Sequence, residues 1–183
     1  MLVFLDFEAS SLGKRSYPIE VGWVFEDGRS EAYLIRPAPE WTDWDEEAEA
    51  IHHITRSEVS ANGTPHDAVA RRMIDELSGR DLLASAPSWD GKWLSTLLRA
   101  AGLPRHSLRL RDSDDALRET ASAILKPVVP LARLDEVIAE VLAETEVRAS
   151  HQPLHRALAD AEDERARWLA VQAAARRVAE TGQ

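Results

Sequence analysis

Apolar and polar positions along this chain change their spacing in a way that separates strands from helices. Residues 2–7 alternate and then run apolar into Asp6, the pattern of a central strand ending in a carboxylate. Residues 19–25, Ile-Glu-Val-Gly-Trp-Val-Phe, predict a second strand, Asp27-Gly28 a tight hairpin, and residues 31–35 a third strand. Three strands with short connections imply an antiparallel meander. A loop carrying Trp41 and Trp44 starts at Pro37, and residues 45–50 suit one or two helical turns before Ile51-His52-His53-Ile54-Thr55. Beyond Pro65 the period changes, with Val69, Met73, Ile74 and Leu77 recurring at helical intervals. Residues 82–86 form a short buried strand stopped by Pro87. A helix follows over 90–101, with Leu94, Leu97 and Leu98 inward and Gly102 and Pro104 closing it. A last strand is predicted at 108–110 and helices over 112–125, 133–144 and 153–179. The stripe Leu134, Val137, Ile138, Val141 and Leu142 marks the middle one. Strands first, then strands alternating with helices, give one α/β domain over residues 1–183. Its mixed five-stranded sheet begins with an antiparallel meander and is flanked by helices.

Composition narrows the chemistry. A chain of 183 residues can bury a core of its own, and no stretch approaches the roughly 18 apolar residues of a membrane span. The N-terminus meets Asp6 before any apolar leader could form, and cysteine is absent, so a cytoplasmic location is expected. Without thiolates a bound metal needs oxygen or imidazole ligands, which favours Mg²⁺ or Mn²⁺. The net charge of −10 runs against a nucleic-acid binder, yet divalent cations held in an acidic site invert the local field. All but three of the 22 basic side chains are arginine. That suits bidentate phosphate contacts and equally the coding bias of a GC-rich genome.

The acids at strand ends and helix starts carry the candidate chemistry. Asp6 and Glu8, at i and i+2, share one face of a strand, where two carboxylates repel unless a cation lies between them. An exposed strand end would read the same. Asp90 opens a helix after a Pro-Ser-Trp turn and is equally an N-cap. Asp160 follows His155 by five residues near the start of the last helix, where two surface side chains are the simpler reading. Taken together, these positions supply oxygen ligands for metal ions and a histidine whose ordinary pKa suits a general base. Hydrolysis of a phosphodiester by two metal ions needs that combination.

The ordered segments Phe4-Leu5-Asp6-Phe7-Glu8-Ala9-Ser10 with Leu12, Ser85-Ala86-Pro87-Ser88-Trp89-Asp90-Gly91-Lys92-Trp93-Leu94, and His155-Arg156-Ala157-Leu158-Ala159-Asp160-Ala161 resemble the three motifs of the DEDD exonuclease superfamily. That superfamily includes proofreading exonuclease subunits, RNase T and oligoribonuclease. The spacing of the third segment is that of the histidine branch, and Ala50-Ile51-His52-His53-Ile54-Thr55 resembles a further family segment. The resemblance covers about residues 2–170 and implies an RNase H-like exonuclease fold. It implies that Asp6, Glu8, Asp90 and Asp160 hold two Mg²⁺ (or Mn²⁺) ions about 4 Å apart, Asp90 largely through water, and that His155 deprotonates the attacking water. It also implies release of nucleoside 5′-monophosphates from a 3′ end, and a terminal nucleotide held by Ala9, Ser10, Ser11 and Leu12, with His52 or Ile54 lining the same pocket. Core packing is an equal reading for Leu12 and Ile54. Ala86 and Trp89 depart from the asparagine and phenylalanine common in the second motif, and Trp89 can do the same packing. His151 lacks the family spacing and reads as a surface or supporting residue.

The rival within the same fold is a catalytically inactive nucleic-acid-binding or protein-interaction module, against which the intact acids and histidine count. The sequence ends at Thr181-Gly182-Gln183, soon after the last helix, and shows no clamp-binding motif, which leads to the expectation of a free-standing nuclease rather than a proofreading subunit. An endonuclease of the wider class does not fit the third motif. Trp41, Trp44 and Trp89 are candidates to stack on bases, although burial is the commoner use of tryptophan. The expected partner is a single-stranded nucleic-acid 3′ end, RNA or DNA; size and compactness resemble the RNA-trimming members, several of them homodimers, and so lean towards RNA and a homodimer.

Overall fold

The computed structural model describes residues 1–148 and 155–181. A six-stranded mixed sheet forms its centre: β1 (Leu2–Ala9), β2 (Pro18–Phe25), β3 (Ser30–Arg36), β4 (Thr64–Pro65), β5 (Asp81–Ala84) and β6 (Leu110–Asp112), in the order β4-β3-β2-β1-β5-β6. β1, β2 and β3 are the antiparallel meander, and β5 and β6 join β1 in parallel. The sixth strand is the two-residue β4 at the edge of β3. Its Pro65 cannot donate a ladder hydrogen bond, and so short a segment carries no alternation to read. The last strand lies at 110–112 rather than 108–110, because its pairing with β5 begins at Leu110 opposite Leu82, and the buried Leu108 precedes it.

The helices are α1 (Glu46–His52), α2 (Arg56–Asn62), α3 (His66–Leu77), α4 (Pro87–Ala100), α5 (Ser113–Leu125), α6 (Leu131–Arg148) and α7 (Ala157–Thr181). Alternation on β1 and β2 decides which helices cover which face. Val3, Leu5, Phe7, Val21, Trp23 and Phe25 face α3 and α4, where Val69, Met73, Leu77, Leu94, Leu97 and Leu98 complete one core. Phe4 and Val24 face α5, α6 and α7, with Leu117, Leu125, Val141, Trp168 and Val171 in a second core. The same alternation sends Asp6, Glu8, Glu20 and Gly22 towards α7, where the apolar pattern of the sheet gives way to carboxylates. Among the described residues no helix is long and apolar enough to cross a membrane.

Candidate active site

Three features of local structure build the site. β1 has an irregularity between Glu8 and Ala9, where its pairing with β2 shifts register; such irregularities turn a strand end and re-aim its side chains. α4 begins at Pro87, at the first-turn position proline favours. Asp90 therefore lies inside the first turn, its N–H bonded to the Ala86 carbonyl, and is not the N-cap. Its side chain points inward and is 1% exposed. α7 begins at Ala157 rather than near Pro153, which lies outside the described residues, as does His151. His155 accordingly precedes the helix, in a left-handed conformation with φ 51°, and Asp160 occupies the first turn.

Gly22 makes the approach of α7 possible. A methyl group there would run into the backbone nitrogen and Cα of Leu158, so only glycine lets the start of α7 rest directly on β2. Gly22 sits beside Asp6 in the register, and Glu20 sits beside Glu8. The close contact thus delivers His155 and Asp160 to the strand-end acids. One ligand atom each from Glu8, His155 and Asp160 lies within 4.8 Å of the others.

Electrostatics show how crowded the acids are. Burial holds Asp6 well above the usual carboxylate range, and the charges of Asp90, Glu8, Asp160 and Glu20 push it the same way. Glu8 is raised to about 8 by burial and then by Asp160 and Glu20, with Arg156 opposing. Asp90 is raised to about 7 by burial, opposed by backbone N–H groups of Phe7, Ala86 and its own residue. Its Oδ2 has no hydrogen-bond partner. Buried acids pressed towards neutrality, one with an orphaned oxygen and three donors converging nearby, are a donor set that a divalent cation would relieve.

A groove of about 370 Å³ opens beside these groups, lined by Glu8, Ala9, Ser11, Leu12, Asp45, Glu47, Ala48, Ile51, His52, Trp93 and His155. Leu12 and Ile51 are 68% and 53% exposed, so two large apolar side chains stand in water at its wall. The loop bearing Leu12 is tethered: Ser11 Oγ donates to Asp43, and Lys92 Nζ donates to the Gly13 carbonyl at 2.6 Å and to Ser16 Oγ at 2.8 Å. His52 reaches the groove although buried. Its Nδ1 accepts from Ile54 N–H at 3.1 Å, and burial lowers its pKa.

Other expected pocket residues lie elsewhere. Ser10 is fully buried and accepts from Tyr17 N–H through Oγ. Ile54 packs with Tyr17, Ile19 and Val59 in a third small core. Trp89 is not among the groove's lining; its ring stacks on Trp93 at 5.7 Å with Lys92 Nζ over it. Trp41 stacks on Tyr17, and Trp44 donates to Glu49 beside His52, so both have partners within the protein. Sequence reasoning passed over Glu20, Ile51 and Trp93. For Glu20 the signal was present, a lone charge in an otherwise apolar strand.

No family model matches this chain, and no curated protein matches it. Solved structures do. A zinc-bound complex of E. coli exonuclease I with single-stranded DNA is 19% identical over 90% of this chain and 38% of that one, with a TM-score of 0.63. Exonuclease I from the moderately thermophilic Methylocaldum szegediense gives 0.65 at 19% identity, over 92% of this chain and 40% of that one. The E. coli enzyme with a dT13 oligonucleotide gives 0.63 at 19% identity, over 90% and 39%. This chain therefore spans about two fifths of the length of those proteins. The likeness is one of fold, an α/β fold of the RNase H-like exonuclease type.

Proposed function

We propose that this chain is a metal-dependent 3′→5′ exonuclease that releases nucleoside 5′-monophosphates from single-stranded nucleic acid. The observation that carries this reading is the convergence of Asp6, Glu8, Asp90, His155 and Asp160 from three distant parts of the chain beside an apolar-walled groove. Solved structures of exonuclease I with bound single-stranded DNA share the fold and support it.

Glu8, Asp160 and Asp6 would hold two Mg²⁺ or Mn²⁺ ions, with Asp90 acting on them through water. When bound, such ions stabilise charge on the phosphoryl oxygens and make water a better nucleophile. His155 stands at the boundary of the acid cluster and the groove, where an imidazole nitrogen can accept the proton of the attacking water. Leu12 and Ile51 offer apolar surface to the terminal base, and the Lys92 tether holds the Leu12 loop for it. Asp45 and Glu47 form another part of the wall. A strand running on through the groove would bring a phosphate against these carboxylates, which favours a chain end over an internal segment. The preference for RNA expected from size is part of the proposal, beside fold neighbours crystallised with DNA.

Digestion of 3′- and 5′-labelled single-stranded RNA and DNA tests the proposal. We expect shortening from the 3′ end with Mg²⁺ or Mn²⁺, abolished by EDTA and by Asp6→Ala. His155→Ala is expected to lose most turnover while calorimetry still registers metal binding. An absence of digestion with either metal on either polymer would replace this reading with that of an inactive binding module.

A further inference from the structure

Glu20 is an acid of the site that the mechanism does not use, and it is 4% exposed. It lies on β2 beside Glu8, on the face covered by α7. A fifth carboxylate there could be one more metal ligand, but its oxygens are already engaged. Arg156 donates to Oε1 through Nη2 at 2.6 Å and to Oε2 through Nε at 3.1 Å. The Ala157 backbone N–H donates to Oε2 at 2.9 Å. Ala157 is the first residue of α7, and its N–H is one of those that a helix start leaves without an intrahelical partner.

We propose that Glu20 is a positioning residue that fastens the start of α7 and so fixes where His155 and Asp160 stand; this rests on the exonuclease reading. Glu20 caps α7 from a neighbouring strand, a role ordinarily taken by the helix's own N-cap side chain. The two clamped residues, Arg156 and Ala157, directly follow His155, which is held at positive φ. They also precede Asp160, whose N–H bonds the Arg156 carbonyl at 3.0 Å. The ion pair points the same way, since Arg156 holds the Glu20 carboxylate at 2.6 Å and opposes part of its push on Glu8. Bidentate arginine pairing fixes orientation as well as charge.

The test compares Glu20→Gln, Glu20→Ala and Arg156→Met with the wild type. The readouts are steady-state kinetics, Mn²⁺ calorimetry and hydrogen exchange of the peptide covering 155–161. Glu20→Gln retains an acceptor for Ala157 and is the variant that keeps the fold if Glu20→Ala does not. We expect kcat to fall about 10²-fold for Glu20→Ala, the scale of a misplacement near 1 Å, and less for Glu20→Gln. KM should stay within about threefold and exchange over 155–161 should quicken; Mn²⁺ affinity falls as Asp160 shifts, but saturating metal does not restore kcat, because His155 stays misplaced. Adding Arg156→Met to Glu20→Gln should cost little more, because both break one contact. Loss of Mn²⁺ affinity with kcat restored at saturating metal would make Glu20 a ligand and overturn the proposal. Unchanged kcat with unchanged exchange in both Glu20 variants would overturn it as well. A wild type without activity would defeat the exonuclease reading, while the exchange data would still judge the clamp.

Discussion

Asp90 shows at the scale of one residue how this site stores an unfavourable arrangement. Its carboxyl is buried and raised to about 7, and Oδ2 has no partner. Above that value the metal-free protein therefore carries a buried charge that the backbone N–H groups of Phe7, Ala86 and Asp90 offset only in part, a state that stability alone would not retain. Replacing it with asparagine removes the charge and keeps the shape. Asp90→Asn is expected to stabilise the metal-free protein at pH 8 by about 1–3 kcal/mol, seen as a higher Tm in EDTA, while nuclease turnover falls. If the variant is less stable in EDTA at pH 8, the backbone N–H groups outweigh the cost of burial and the account of Asp90 is wrong. That Asp6, Glu8, Asp90, His155 and Asp160 come together was legible in the sequence because each stands in a short ordered segment whose spacing survives any uncertainty about packing. Ser10, Ile54 and Trp89 were less so. Neighbouring residues in a loop or turn differ in direction by a rotation that only tertiary contacts determine, so Ser11 and His52 reach the groove while Ser10 and Ile54 turn away.

Among the elements, β2 and α7 matter most, since their contact brings the third motif to the first. Gly22 lies under Leu158 with no room for a Cβ, and the obstructing atoms are backbone. Gly22→Ala must therefore displace α7 or strain β2, at a cost of about 3 kcal/mol. For a chain of this length that corresponds to a Tm lower by about 6–12 °C. Activity should fall even below the new transition, because the displaced element carries His155 and Asp160. A Gly22→Ala protein with wild-type Tm and turnover would show that the approach of α7 is loose. Most elements were readable from periodicity, including the meander, α3, α5 and the stripe on α6. Those missed had other signals or none. α2 carries no long apolar stripe, but Thr55 caps it by accepting from Glu58 N–H, a spacing visible in the sequence as Thr-x-x-Glu. The start of α7 depends on Glu20, 137 residues away in sequence, and no local pattern could place it.

At the scale of the whole molecule, the acid cluster makes stability depend on pH and metal together. In the metal-free protein Glu8 is raised to about 8, Asp90 to about 7, and Asp6 well above its ordinary range. Their folded forms hold protons that the unfolded chain releases near pH 4 to 4.5. The stability they contribute is complete below that range and is lost as pH rises towards about 8. His52 acts in the opposite sense: its lowered pKa makes protonation cost stability as pH falls below about 6.5. Carboxylates held low by arginine, such as Glu31 and Asp81, titrate below this window. Three acids against one histidine give a Tm that declines from pH 5.5 to 8.5 in EDTA. Mg²⁺ or Mn²⁺ would take the place of the lost protons, because a ligand that binds only the folded state stabilises it. The difference between Tm with metal and Tm with EDTA should therefore widen as pH rises. The chain's overall charge of −10 also disfavours compactness at high pH, and Asp90→Asn separates the two effects. It removes one site acid and should flatten the EDTA profile far more than loss of a surface carboxylate such as Glu136 does. A Tm in EDTA that stays level across the range, or a metal effect equal at pH 5.5 and 8.5, would mean that these acids do not hold protons in the folded protein and that metal does not bind among them.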